Sequence, residues 1–132
     1  SSATRILDHI ISEMKPIEFN TKESAVFLNN GTKFSFNPLP LEAQLAPAFG
    51  ICAKDFNGDS SIDLFIAQND FSIPPRYSRY DSGRGLLLTG DGDGNFSPMN
   101  GKDSGITIYG EQRDAVAADF NGDKKLDLVI SQ

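Results

Sequence analysis

The chain has 132 residues, 39% hydrophobic and 23% charged, with a net charge of −6. That composition fits one ordinary globular domain and excludes wholesale disorder. The acidic balance, a single cysteine and a single histidine exclude a phosphate-gripping nucleic-acid surface, a disulfide framework and a multi-cysteine zinc site.

From the N-terminus, Ile6, Leu7, Ile10, Ile11 and Met14 recur at helical spacing, and Pro16 ends the pattern. This predicts one short helix over about 4–15, followed by a link, so that 1–24 forms a separate N-terminal segment. The helix is expected to cover a sheet edge or to dock a second subunit. There is no charged-then-apolar leader pattern and no run of the ~20 apolar residues needed to span a membrane. The chain is expected to be a piece of a larger extracytoplasmic protein, at the cell surface, in the periplasm or outside the cell.

The next 108 residues repeat themselves. The stretch from Asp55 to Gln68 recurs from Asp119 to Gln132, 64 residues on, with nine identities in fourteen positions. Upstream, Phe27-Leu28-Asn29-Asn30-Gly31-Thr32-Lys33-Phe34-Ser35 echoes 87–97 with two residues inserted. Two similarities in the same order indicate a duplicated unit of about 60 residues. Strands are expected at 25–28 and 33–36, then on both sides of the first acidic stretch. Two more flank Asp91-Gly92-Asp93-Gly94-Asn95, a hairpin signal, and two flank the second acidic stretch. The fold class is therefore mainly β: eight strands, about two four-stranded propeller blades, with repeats near 25–84 and 85–132 that start and end mid-blade. Two blades cannot bury a continuous core alone. The missing partner is the rest of a larger propeller or further copies of this chain.

The acidic stretches carry the chemistry. Asp55, Asn57, Asp59, Ser61 and Asp63 stand at alternate positions, as do Asp119, Asn121, Asp123, Lys125 and Asp127. Calcium takes 6–8 oxygen ligands. A curled loop offers it side chains from positions 1, 3, 5 and 9 and the carbonyl of position 7, which explains why Lys125 is tolerated there. Three carboxylates crowded in one loop repel unless a cation neutralises them. The bland alternative is an Asp- and Asn-rich turn closed by its own hydrogen bonds. The loops are not EF-hands, because position 12 is Ile66 or Ile130 within an apparent strand. Two calcium ions acting as structural staples are the expected cofactors.

Phe49-Gly50 followed by Asp55-Phe56-Asn57-Gly58-Asp59 and Asp63-Leu64 resembles the FG-GAP or VCBS-type repeat, which builds the propeller of integrin α chains. Phe27–Gly31, Leu39–Gln44, Arg79-Tyr80-Asp81 and Gly110–Asp114 resemble, more narrowly, the propeller region of bacterial ASPIC/UnbV and cartilage acidic protein-like proteins. The family resemblance implies calcium ligands at Asp55, Asn57, Asp59 and Asp63 with the Ser61 carbonyl, and at Asp119, Asn121, Asp123 and Asp127 with the Lys125 carbonyl. The family usually carries Gly at the sixth loop position. Here Ser60 and Lys124 stand there, which implies strain if that position needs positive φ. Arg113-Asp114 replaces Phe49-Gly50 in the second unit, so the strand beginning there is expected to start differently.

A second candidate site is the long 69–84 loop with Arg76, Tyr77, Arg79, Tyr80 and Arg84, residue types enriched where proteins bind partners or sugars. No Ser-His-Asp set, Cys-His pair or phosphate-cradling loop is present, so no catalytic residues are expected. The functional expectation is a calcium-binding propeller module for protein–protein interaction or adhesion. A lectin-like module and a purely structural domain are the alternatives.

Overall fold

A computed structural model describes residues 18–72, 74, 76 and 82–132. The expected 4–15 helix and its His9 lie outside these residues. The described chain is mainly β, a propeller fragment. Its strands are β1 (Ala25–Asn29), β2 (Phe34–Pro38), β3 (Ala48–Lys54), β4 (Asp63–Gln68), β5 (Leu86–Gly90), β6 (Phe96–Met99), β7 (Asp114–Ala118) and β8 (Asp127–Ser131). A 3-10 turn at Leu41–Gln44 and one helical turn at Gly101–Ser104 interrupt them.

Every pair is antiparallel. β3-β4-β5-β6 form one four-stranded sheet in sequence order, the meander of a complete blade. β1-β2 and β7-β8 form two-stranded half-blades on either side. The eight strands are thus divided two, four and two. The unit that repeats in the sequence and the sheet that closes by hydrogen bonds are out of phase.

The reason is visible in β4. All six of its residues, from Asp63 to Gln68, are buried. Strand side chains alternate between faces, and here both faces are apolar. Leu64 and Ile66, with Leu86 and Leu88 of β5, join Leu39 and Ala43 on one side, where Val26 of β1 and Phe96 pack against them. Phe65 and Ala67, with Cys52 and Leu87, join Ala115 on the other, with Ala117, Leu128 and Ile130 packed behind. Each half-blade covers one face of the central blade. Burying such a side chain contributes roughly 1.5–3 kcal/mol, so the blade is held mainly by its neighbours.

Two contacts fix the fan. On one side Asn37 Nδ2 donates to the Gly94 carbonyl at 2.7 Å, beside Leu28. On the other, inner strands β3 and β7 meet at Gly50, where an added Cβ would lie 2.6 Å from Asp114 Cα. Ala48 pairs with Gln68 but Ile51 with Ile66, so β3 bulges at Phe49-Gly50. The equivalent β7 starts at Asp114, two residues later in the repeat than β3, and pairs with β8 without a bulge.

The upstream repeat is shifted by one from the sequence alignment. Gly90 pairs with Phe96, and Asn29 pairs with Phe34. Asn29 therefore takes the place of Gly90, and Phe27 that of Leu88 rather than Leu87. The faces agree, since Val26 and Leu87 both point toward the following blade.

Candidate metal centre

The two acidic loops connect β3 to β4 and β7 to β8, at the same end of their sheets. Each begins with an Asp whose carboxylate gathers the turn. Asp55 Oδ1 accepts from the N–H groups of Gly58 (2.7 Å) and Asp59 (3.2 Å), and Oδ2 accepts from Ser60 (2.9 Å). Asp119 accepts from Gly122 (2.6 Å), Asp123 (3.1 Å) and Lys124 (2.8 Å) in the same way. Asn57 and Asn121 each accept from the residue two further on at 2.9 Å. Asp59 accepts from Ser61 at 2.7 Å, and Asp123 from Lys125 at 2.9 Å. Asp63 and Asp127 reach back to the N–H of Phe56 and Phe120, both at 2.9 Å.

This wrapping needs left-handed backbone. Gly58 and Gly122 have φ of 80° and 81°. Ser60 and Lys124, standing where the repeat usually has glycine, are held at 72° and 68°. A non-glycine residue there stores roughly 1 kcal/mol or more of strain. The identical conformation in both loops shows that the loop shape, and not the residue at its sixth position, dictates the backbone.

The electrostatics follow from the donors. Asp59 is held below the usual carboxylate range, first by the Ser61 N–H and then by the Asn57 amide. The Lys124 N–H does the same for Asp119. None of the six loop carboxylates forms an ion pair among the described residues. Asp63 is fully buried, with Phe56 N–H on Oδ2 and Gly90 N–H on Oδ1 at 3.0 Å.

The donor set suits a hard cation: oxygens only, three carboxylates per loop, and, among the described residues, no ion pair from those carboxylates to the neighbouring Lys124, Lys125 or any other cation. Asp55 uses three of about four acceptor sites on its carboxylate. Among the described residues, however, no three acidic, cysteine or histidine side chains converge as a metal centre. The oxygens are turned to backbone N–H groups, which is the self-closed turn that the composition also allowed.

The second candidate site lies largely outside the described residues, since Tyr77, Arg79 and Tyr80 are not among them. Arg76 is exposed in a turn. The Arg84 guanidinium lies over the Tyr109 ring, 4.8 Å from its centroid, with Nη1 3.5 Å from its hydroxyl. Arg84 is therefore tied to a residue beyond its own loop. Buried polar Asn69 went unnoticed in the sequence. It holds the loop's base through Gly83 N–H (2.9 Å) and the carbonyls of Gly83 (2.8 Å) and Gly110 (2.9 Å). Its φ of 87° is a signal no composition rule predicts.

A comparison with known families agrees with this duplication. The FG-GAP-like repeat matches residues 55–130, from the first acidic loop into β8. The chain belongs to the FG-GAP-like repeat family. No curated protein and no solved structure matches it significantly. The narrower likeness to the ASPIC/UnbV and cartilage acidic protein group is not confirmed by the family match. FG-GAP repeats suggest a propeller-type interaction module and are typical of extracellular proteins. No helix among the described residues is long and apolar enough to cross a membrane.

Proposed function

We propose that this FG-GAP chain is a calcium-stapled propeller module that presents a surface for protein–protein interaction or adhesion within a larger extracytoplasmic protein. One observation carries the calcium reading. Two loops 64 residues apart repeat the same oxygen-rich scheme, and their six carboxylates have no cationic partner among the described residues. Asp55, Asn57, Asp59 and Asp63, with the Ser61 carbonyl, would hold one ion. Asp119, Asn121, Asp123 and Asp127, with the Lys125 carbonyl, would hold the other. The bound cation supplies charge neutralisation to a crowded turn and takes no part in a reaction. Two ions would bring the net charge from −6 to −2. At about ten times the dissociation constant, each would add about 1.4 kcal/mol of stability.

The test is a calorimetric calcium titration of chelator-stripped protein. Two ions should bind, falling to one in Asp59→Asn and to one in Asp123→Asn, with calcium raising the melting temperature of the parent. No heat and no thermal shift at several millimolar calcium would overturn the calcium reading and leave the family membership intact.

A further inference from the structure

We infer that Asn30-Gly31, in the turn between β1 and β2, is a self-modification site, where the asparagine side chain converts slowly to aspartate and isoaspartate. The sequence holds four Asn-Gly pairs, at 30–31, 57–58, 100–101 and 121–122. Nothing in the reaction requires a metal in either acidic loop.

Water is the only co-reactant. The Gly31 nitrogen gives its proton to solvent base and attacks Asn30 Cγ, and the C=O electron pair moves onto Oδ1. When that carbonyl re-forms, Nδ2 takes a proton from water and leaves as ammonia, closing a succinimide ring. Water then opens the ring. Opening at Cγ leaves an ordinary aspartate. Opening at the backbone carbonyl leaves isoaspartate, with the main chain running through the former side chain. Glycine suits the attack because it has no Cβ to hinder the approach.

All four asparagines are folded for it. Each Oδ1 accepts the N–H two residues on: Thr32 (3.1 Å), Asp59 (2.9 Å), Lys102 (3.0 Å) and Asp123 (2.9 Å). An oxygen that reaches that N–H lays Cγ against the intervening peptide, which contains the glycine nitrogen. The surroundings of the three reacting atoms then separate the four pairs.

Negative charge gathers on Oδ1 in the tetrahedral intermediate, and donors already aimed there stabilise it. Among the described residues Asn30 Oδ1 has three: Thr32 N–H, Thr32 Oγ1 (3.0 Å) and Lys33 N–H (3.0 Å). Asn100 has two such donors, and Asn57 and Asn121 have one each. The nucleophile differs as well. Gly31 N–H rests on the neutral Asn29 Oδ1 at 2.8 Å. Gly58 and Gly122 N–H rest on the carboxylates of Asp55 and Asp119. A negative charge beside the nitrogen opposes loss of its proton.

The leaving nitrogen completes the contrast. Asn30 Nδ2 makes no hydrogen bond among the described residues, whereas Asn57 Nδ2 is held by Asp59 at 2.8 Å and Asn100 Nδ2 by Asp103. Gly101 is also crowded. A Cβ added there would lie 2.6 Å from the Ile106 carbonyl oxygen, while one on Gly31 would meet nothing within 4 Å. Residues 29–33 are exposed, so water reaches the ring. Conversion adds one negative charge to the net −6. Isoaspartate lengthens the backbone inside the turn whose bond from Asn30 N–H to the Lys33 carbonyl sets the pairing of β1 with β2. The step is one-way, so this hairpin records the age of the molecule while the asparagines of the acidic loops are kept.

Peptide mapping of the whole chain, aged in mildly alkaline buffer with chelator, tests this. Mass spectrometry reads the exchange of NH2 for OH at each of the four pairs, and electron-driven fragmentation reads isoaspartate. Asn30 should convert at least about tenfold faster than Asn57 and Asn121, and the rates should draw together in denaturant. Thr32→Val removes one donor from Oδ1 and should slow Asn30 several-fold. Asn29→Asp puts a carboxylate on the Gly31 nitrogen and should slow it too. Both positions are exposed, so neither change disturbs the core. Three results would each overturn the inference: Asn30 converting no faster than Asn57 and Asn121 in the folded chain, an equal lead for Asn30 in denaturant, or two variants that age like the parent.

Discussion

Gly50 and Asp114 occupy the same place in successive repeats, and they touch. A Cβ on Gly50 would sit 2.6 Å from Asp114 Cα and 3.2 Å from Ala115 N. Both are backbone atoms that cannot rotate away. The glycine is needed because a neighbouring strand passes there, and Arg113 stacks over the adjoining Phe49 ring at 4.6 Å. Gly50→Ala should therefore cost roughly 1–3 kcal/mol by overpacking. Chemical denaturation would check this, and a neutral result would mean that the two inner strands are not so close.

Relief of backbone strain should act in the opposite direction. Ser60→Gly and Lys124→Gly replace residues held at positive φ. The strain released exceeds the added freedom of the unfolded chain, for a net gain of about 0.5–1 kcal/mol each. The sites are in separate loops, so the double variant should show the sum in its denaturation midpoint.

Asp63 and Asp127 are matched positions with different surroundings. Asp63→Ala strands two N–H groups in a fully buried place and should cost about 3 kcal/mol. Asp127→Ala strands one in a half-buried place and should cost about half as much in the single chain. Urea denaturation of both variants at low protein concentration separates them.

Acid should loosen the loops first. Asp59, Asp91 and Asp119 have folded pKa values below their usual 3.8, held there by Ser61 N–H, the Asn95 side chain and Lys124 N–H respectively. A lowered folded pKa stabilises the fold above the unfolded pKa. That contribution fades as the pH falls through the lower folded value. The melting temperature should hold steady from about pH 6 to about pH 4.5 and decline below, with a shallower decline in Asp59→Asn.

Much of this arrangement is legible in the chain. The 64-residue offset marks equivalent strands, and the unbroken apolar runs at 64–67 and 86–88 mark strands buried on both faces. The family likeness follows from Phe49-Gly50 and the paired acidic stretches. The partition into two, four and two strands is not legible, because a repeat reports similarity, whereas a sheet is defined by which strand donates to which. The one-residue slip between Phe27 and Leu87 has the same origin. Leucine and phenylalanine suit either face, so only the turn bond from Asn30 to Lys33 fixes the register. The alternate spacing of the loop carboxylates suits a cation and equally a self-closed turn. Spacing alone could not show that backbone N–H groups compete for the same oxygens.

The burial of β4 on both sides also sets an order of loosening. Its six residues and the three leucines of β5 exchange solvent only when the whole sheet opens. β1–β2 and β7–β8 each bury only the face turned to the centre, so their outward-facing residues, Phe27 and Val129 among them, open first. Breathing of this molecule is therefore graded along the described chain, quiet in the middle and loudest at the two half-blades.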